Sequence, residues 1–573
     1  MNLRIFFKTR SLNPQIFLIA AIFFMGMLLR FVLLGQPSLI NPEADLAFQA
    51  LASAQSSTGL IGGQPGYVSL TTLLFFLFGG SDYLARFWPA FFGIALILVP
   101  FLFQNILGKR VALVLAALIA LDPGLLSFSR TADGAMIAVS AGLWASGFFF
   151  MKRKLISATL LGLAIICGLQ FSILLLTFGL AFMISKKFRL SFALETETRV
   201  LNEFKNVKIW DYIAIIISAL IISSMFLFHP NGISGIGTTL NDYFQSWTGK
   251  SGLSALNSIL LLIISELPVL VLGIWGLVRG ILKRNSTYLF LGLWWSLGLC
   301  LAIANPSRSA STIVFANIPI LILAAMQIVD LLGSIQIPNP IVGLSQLAAT
   351  LSLIFFSMFN FINLMNFPET DPILFRNRLI GTLLPLGLLL MLTLLLAWGW
   401  NVESTKSGLL TGLCILLAAV LLGSAWKAAG FGSRPENEIS RNGPYVIGNH
   451  LFLQSITDLS RWNQGQAKTI DVQLVGLDCS SVRWALRDFE SVTQEKVFSP
   501  NSTPSIVVTG MDTLLTTENQ YRGQRVIWSV KPDFQKMQFR DWVLWFFFRN
   551  SPEERSELIL WARNDLFKNS DPQ

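Results

Sequence analysis

The sequence predicts a polytopic α-helical membrane protein with about 13 transmembrane helices and a small C-terminal α/β domain. Three observations carry that expectation. The chain is 53% hydrophobic and only 13% charged over 573 residues, with a mean hydropathy of +0.62, which marks a chain dissolved largely in lipid. Apolar runs that approach the roughly 20 residues a helical span needs recur from Ile16 to about Ala425. After Gly430 the charge density becomes ordinary: residues 430–573 hold 16 Lys/Arg against 17 Asp/Glu, so the net charge of +10 lies almost wholly in residues 1–429. The division is therefore a membrane domain over 1–429 and an α/β domain over 430–573. A basic excess spread over loops fits cytoplasmic ends and lipid headgroups, whereas a nucleic-acid surface needs a concentrated patch, so no nucleic-acid partner is expected.

The N-terminal stretch Arg4–Arg10 is basic and leads into an apolar run without a small-residue cleavage site, which predicts a retained first helix. Further Lys/Arg clusters at Lys109-Arg110, Lys152–Lys154, Lys186–Arg189 with Arg199–Lys208, and Arg279–Arg284 mark cytoplasmic ends. The run Tyr67–Phe78 reaches only about 18 Å as a helix. Treating it as a juxtamembrane helix places every basic cluster on the inner side. The spans are then 15–34, 84–107, 111–128, 134–151, 155–169, 171–185, 209–228, 257–278, 286–304, 313–333, 341–362, 379–398 and 407–425. The N-terminus is cytoplasmic and the C-terminal domain extracytoplasmic.

In the C-terminal domain, Ile470–Val475, Pro504–Thr509 and Arg525–Val530 alternate as strands do, while His450–Trp462 and Ser480–Phe489 have helical character. Glu557–Leu566 fits either. Trp542, Trp545 and Phe546–Phe548 suit a headgroup-level belt or a domain core equally well. The four cysteines, Cys167, Cys300, Cys414 and Cys479, show no metal-ligand spacing and read as small hydrophobes. Asn501-Ser-Thr matches a glycosylation sequon, a weak motif. The chain has no Walker loop, dinucleotide fingerprint or nucleophile elbow.

Residues 1–194 contain only five carboxylates: Glu43, Asp45, Asp82, Asp122 and Asp133. The topology puts all five on the outer face, together with Arg86, Arg130, His229 and Arg308. Acids and arginines gathered at one end of an apolar bundle point to a site for a charged ligand presented from the membrane. Glu43 and Asp45, in Asn41-Pro-Glu-Ala-Asp, can deprotonate a hydroxyl or hold a divalent cation; the plainer reading is the first turn of a loop helix. Asp133 serves a ligand, a metal shared with Glu43, or the cap of the following helix. Arg86, Arg130 and Arg308 suit a lipid phosphate, since guanidinium pairs bidentately with its oxygens, although snorkelling explains most arginines near span ends. His229 is one of two histidines and is a ligand, an acid/base or a structural loop residue.

The order of motifs resembles a known class. An acidic motif follows the first helix, then come Phe78-Gly-Gly-Ser-Asp-Tyr-Leu-Ala-Arg-Phe-Trp-Pro, Leu107-Gly-Lys-Arg, and Leu121-Asp-Pro-Gly-Leu-Leu-Ser-Phe-Ser-Arg-Thr-Ala-Asp-Gly. This resembles the GT-C membrane glycosyltransferases, in the group of protein O-mannosyltransferases and lipid A aminoarabinose transferases, closely over residues 15–190 and more loosely over 209–330. Trp484-Ala-Leu-Arg-Asp-Phe and Trp561-Ala-Arg-Asn-Asp-Leu-Phe look like a prokaryotic subset with a C-terminal outer domain. The resemblance implies transfer of a sugar from a polyprenyl-phosphate donor to a lipid, glycan or protein acceptor outside the membrane, by inverting displacement at the anomeric carbon. It matches Glu43 to the second acid of an Asp-Glu-Ala motif, Asp133 to the acid of the second outer loop, and Arg308 to a basic position near the lipid phosphate. Pro42 stands where the leading Asp is expected, which leaves Glu43, then Asp45, as the acceptor-activating base. The same departure keeps open a non-catalytic relative that binds lipid-linked glycan or partners an envelope-assembly complex. No cofactor is required, and a divalent cation is compatible. A transporter ranks last, because the charges singled out gather at the outer face.

Overall fold

The computed structural model describes residues 14–55, 62–188, 203, 205, 207–249, 254–308, 310–366, 372–432, 444–477, 479–499, 503–511 and 520–570. The Asn501 sequon, the Arg4–Arg10 cluster and Arg199 lie outside the described residues. The chain opens with α1 (Pro14–Phe31), α2 (Asn41–Ala54), α3 (Pro65–Phe78), α4 (Asp82–Leu102), a short turn α5 (Gln104–Leu107), α6 (Lys109–Leu121), α7 (Pro123–Phe128), α8 (Ala135–Phe150), α9 (Lys154–Cys167) and α10 (Gln170–Lys187). It continues through α11 (Ile209–Ser223), α12 (Ser234–Ser246), α13 (Ala255–Ser265), α14 (Leu267–Leu282), α15 (Ser286–Ala304), α16 (Ala310–Ala316), α17 (Ile318–Gly333), α18 (Pro340–Asn366), α19 (Pro372–Gly399) and α20 (Val402–Trp426).

Among the described residues, seven helices are long and apolar enough to cross a membrane, or eight if one bent pair is counted as a span. The expected count of 13 is thus not reached on length, because several expected spans are short or broken. The run 257–278, expected as one span, divides at Glu266 into α13 and α14, which meet at 93°. Pro268 in the first turn of α14 starts a new helix better than it continues the old one. The run 111–128 breaks likewise at Asp122-Pro123, where the Asp122 carboxylate accepts from the Leu125 amide (2.7 Å) and caps α7. The helices of the membrane domain approach through small residues. A Cβ added at Gly408 of α20 would collide with the Gly343 carbonyl oxygen of α18, and one at Gly142 of α8 with the Phe171 ring.

The C-terminal domain is a six-stranded sheet in the order β1-β5-β6-β4-β2-β3. Its strands are β1 (Tyr445–Val446), β2 (Val472–Val475), β3 (Val492–Glu495), β4 (Ile506–Gly510), β5 (Tyr521–Pro532) and β6 (Glu553–Arg563). Strands β2, β3 and β4 run parallel, and β6, β5 and β1 add antiparallel. The ambiguous 557–566 segment is therefore mostly strand, its alternating Leu558, Leu560 and Ala562 buried against Val472, Leu474, Ile506 and Val508. Two helices, α21 (Asn449–Gln464) and α22 (Ser480–Ala485), supply Phe452, Ile456 and Val482 to this core. The aromatic helix α23 (Phe539–Phe548) buries Trp542 and Trp545 against Phe534, with Arg549 stacked 4.1 Å over Trp545. Those two tryptophans belong to a packed interior.

The α18–α20 crossing gives a direct test. Gly408→Val should lower the thermal stability of the purified protein by roughly 1–3 kcal/mol, because backbone must move to admit the side chain, whereas Gly387→Ala, in open space on α19, should leave the melting temperature nearly unchanged.

Candidate active site

The acidic motif forms the first turn of α2. Pro42 occupies a position where the missing N–H costs nothing, and Glu43 reaches back to accept from the Ile40 amide (3.2 Å). Its carboxylate does more than cap. Glu43 Oε1 accepts from Arg86 Nε (3.1 Å) and from the Ala132 amide (2.8 Å), and Oε2 accepts from Arg86 Nη2 (2.6 Å). The pair is bidentate and buried, with side chains 6% and 2% exposed. One carboxylate thereby ties together α2, α4 and the loop that carries Asp133.

Arg86 and Arg130, read from sequence as phosphate ligands, have protein partners in this structure. Arg86 Nη1 donates to the carbonyls of Leu34 (3.2 Å) and Pro37 (2.5 Å), and Nη2 to that of Ser38 (3.3 Å), which fixes the linker between α1 and α2. Arg130 Nη1 donates to the carbonyls of Leu29, Arg30 and Val32 at 2.8–3.1 Å, and so caps the C-terminal end of α1.

Asp133 follows Ala132 directly, so its loop is attached to Glu43 through the backbone. Its carboxylate accepts from the Ala135 amide (3.1 Å) in the first turn of α8, as the capping reading expects. Burial is the main influence on this carboxyl and pushes it up to about 7, with the Glu43 charge adding to the rise and the Ala135 hydrogen bond opposing it.

Gln64 belongs to the same cluster and was not singled out from the sequence. Its side-chain oxygen accepts from the Gly134 amide (2.7 Å) beside Asp133, and its own amide donates to Thr239 Oγ1 (2.9 Å) of α12. It sits in the left-handed region at φ 59. The available signal was the Gly62-Gly63-Gln64-Pro65 turn, which marks a helix start but not a side-chain partner.

Arg308 is half-buried at φ 41 in the turn after α15, and its Nε donates to the Ile303 carbonyl (3.3 Å). Asn305 of that turn donates to Ser246 at the end of α12 (3.0 Å). Helix α12 thus bridges the Arg308 turn and the Gln64 turn. His229 precedes α12 and follows three left-handed residues, Met225, Phe226 and Leu227. Asp45, two residues beyond Glu43, is exposed, and one of its oxygens accepts from the Ser480 hydroxyl of the C-terminal domain.

Among the described residues, no group of three or more His, Cys, Asp or Glu is placed to hold a metal ion. Glu43 is a poor cation ligand where it stands, since both oxygens already accept N–H donors and a guanidinium lies against them.

No protein-family model matches the sequence, and no curated protein sequence matches it. In three dimensions the chain is similar to ArnT from Cupriavidus metallidurans bound to undecaprenyl phosphate, with a TM-score of 0.52 at 14% identity, over 98% of this chain and 100% of that one. This chain has the ArnT fold. ArnT in the apo state overlays equally, at a TM-score of 0.51 and the same coverage. An oligosaccharyltransferase from Archaeoglobus fulgidus overlaps less, at 0.41, over 85% of this chain and 65% of that one at 11% identity. ArnT is an aminoarabinose transferase of the GT-C fold, and the motif order of residues 15–190 resembles that same group.

Two outcomes follow from this geometry. Glu43→Ala strands Arg86 in a buried position and should cost roughly 3–5 kcal/mol of stability, read as a lowered melting temperature, while Asp45→Asn should shift it by no more than about 0.5 kcal/mol. Asp133 binds its proton more tightly when folded, so it weakens the fold as pH rises from its ordinary value near 4 to about 7. Asp133→Asn should flatten the decline in melting temperature over that window.

Proposed function

We propose that this chain transfers a sugar from a polyprenyl-phosphate-linked donor to an acceptor on the outer side of the membrane. The observation that carries the reading is the joining of the two acid-bearing loops. Glu43, bound to Arg86 and to the Ala132 amide, holds the first turn of α2 against the Asp133 loop. The ArnT fold supports the reaction class, and ArnT itself was solved with undecaprenyl phosphate.

On this reading the two acids of the motif divide the work. Glu43 is a positioning group, because taking a proton would require it to give up an arginine and two amides. Asp45 is exposed on the same helical turn, and we assign it the base role: it removes the acceptor hydroxyl proton as that oxygen attacks the anomeric carbon. The bond from that carbon to the phosphate oxygen breaks, and the electron pair leaves with the lipid phosphate. Asp133, with its affinity for a proton raised to near pH 7, donates a hydrogen bond to substrate. Arg308 is assigned to the lipid phosphate. The C-terminal domain and the acids lie outside the membrane and the N-terminus inside. The acceptor class is lipid, glycan or protein.

One observation favours a second reading, a non-catalytic relative that binds lipid-linked glycan. The acid the resemblance matches to the active-site motif, Glu43, is saturated with donors, and Pro42 stands before it. Purified full-length protein in nanodiscs, offered a panel of undecaprenyl-phosphate sugars, separates the two. The enzyme reading expects release of undecaprenyl phosphate and a fall of roughly 100-fold or more in Asp45→Asn. Saturable binding of undecaprenyl phosphate without release from any donor would leave the binding reading in its place.

A further inference from the structure

A second set of contacts lies at the seam between the two domains. Polar contacts from the C-terminal domain gather on the turn of α2 that bears the acids. The Ser480 hydroxyl donates to Asp45 Oδ1, the Ser481 amide donates to Asn41 Oδ1 (3.0 Å), and Cys479 Sγ approaches the same oxygen (3.3 Å). Asn449 Nδ2 donates to Ser38 Oγ (2.8 Å) in the linker just before that turn. The segment is itself referenced to the sheet, since Trp528 Nε1 of β5 donates to Ser481 Oγ (3.0 Å).

Four residues beyond Ser480, Trp484 anchors the whole arrangement. It is only 2% exposed and is packed within the core of the membrane domain, its ring stacked on Phe75 and edge-on to Phe48. Its Nε1 donates to Asp82 Oδ1 at the start of α4 (2.6 Å). Arg487 lies 4.5 Å over the Trp484 ring, and Arg483 lies 4.9 Å over Phe48. A buried indole with its N–H satisfied and cations on the surrounding rings describes a fixed joint, since withdrawing it would expose a large apolar surface and unpair a buried donor.

Resting on the assignment of Asp45 as the base, we propose that the C-terminal domain is a built part of the site, with Ser480 a positioning residue that orients the Asp45 carboxylate. An exposed aspartate on a helix samples several rotamers. One hydrogen bond to Oδ1 selects among them and turns Oδ2 toward the acceptor. Orientation of a reacting group is worth much in rate, since misplacement by about 1 Å can cost on the order of 100-fold. The membrane domain alone therefore carries the base, and the C-terminal domain sets its direction. The stretch that holds residues 38, 41 and 45 is thus held from both sides, by Glu43 and Arg86 beneath and by Asn449 and the segment Cys479–Trp484 above.

The test uses the full-length protein in nanodiscs and has two arms. With an undecaprenyl-phosphate sugar that the wild type turns over, Ser480→Ala should lower kcat about tenfold and leave KM for the donor within twofold. Ser480→Thr, which keeps the hydroxyl, should restore most of the rate. In the second arm, hydrogen exchange over Asn41–Phe48 should rise at least severalfold in Ser480→Ala and in Trp484→Phe, a milder change than truncation. Wild-type kinetics in Ser480→Ala, failure of Ser480→Thr to rescue, or unchanged exchange in both variants would each overturn the proposal. If the wild type turns over no donor, the base assignment fails separately; the exchange arm then decides alone whether the C-terminal domain holds this turn.

Discussion

The buried pair between Glu43 and Arg86 is the constraint on which the rest of this end of the molecule depends. Removing two opposite charges from water is costly, and only close geometry with additional hydrogen bonds offsets that cost. Here the guanidinium supplies two donors to the carboxylate and the others to the carbonyls of Leu34, Pro37 and Ser38. Lysine has no such planar fork and could not satisfy both sets at once. The result is that the end of the α1 linker, the first turn of α2 and the start of α4 become one rigid unit. The Ala132 amide then adds the second loop, which brings Asp133 within electrostatic reach of Glu43.

The general architecture was legible in the sequence because it follows from simple periodicities. Apolar runs marked the membrane helices, and alternation marked β2, β4 and β5. The short run Tyr67–Phe78 forms a helix, α3, in which Tyr67 reaches the Ala85 carbonyl (2.8 Å). What hydropathy could not show was where an apolar run bends. Glu266 and Pro268 interrupt one run, and Asp122-Pro123 another, yet a window average treats each as a single polar residue in a long apolar stretch. Glu266 is held by a hydrogen bond from Asn317 (2.5 Å), a partner 51 residues away that no local pattern predicts.

The arginines illustrate the same limit for the site. Arg86 and Arg308 carry the same chemistry in sequence, and both suit a phosphate. The fold separates them: Arg86 is 1% exposed amid carbonyls and Glu43, whereas Arg308 is half-buried in a turn beside α12. Whether a guanidinium meets a carbonyl or a ligand is decided by which chain ends converge on it. For Arg130, that is the C-terminal end of α1, whose last carbonyls have no intrahelical donors and are met by a cation. In the sequence Trp484 stands only as part of a motif. Its burial in the other domain depends on Phe48, Phe75 and Asp82, which only the fold brings together.

The motif Asn41-Pro-Glu-Ala-Asp gains a consistent physical reading from these contacts. Proline at the helix start fixes the backbone of a turn whose side chains face in two directions. Glu43 points inward, where burial demands full satisfaction of its oxygens, and the Arg86 fork and two amides provide it. Asp45 points outward, where water screens its charge and a single hydroxyl suffices to orient it. Two carboxylates two residues apart on a helix lie on different faces, about 200° around the axis, so they cannot share one environment. Where environments differ, roles can differ, and pairs of acids commonly divide on this basis. The proposed division, with Glu43 holding and Asp45 reacting, therefore needs no aspartate at position 42. A carboxylate there would lie on a third direction of the turn, while proline preserves the geometry that points Glu43 at Arg86 and Asp45 at the hydroxyl of Ser480.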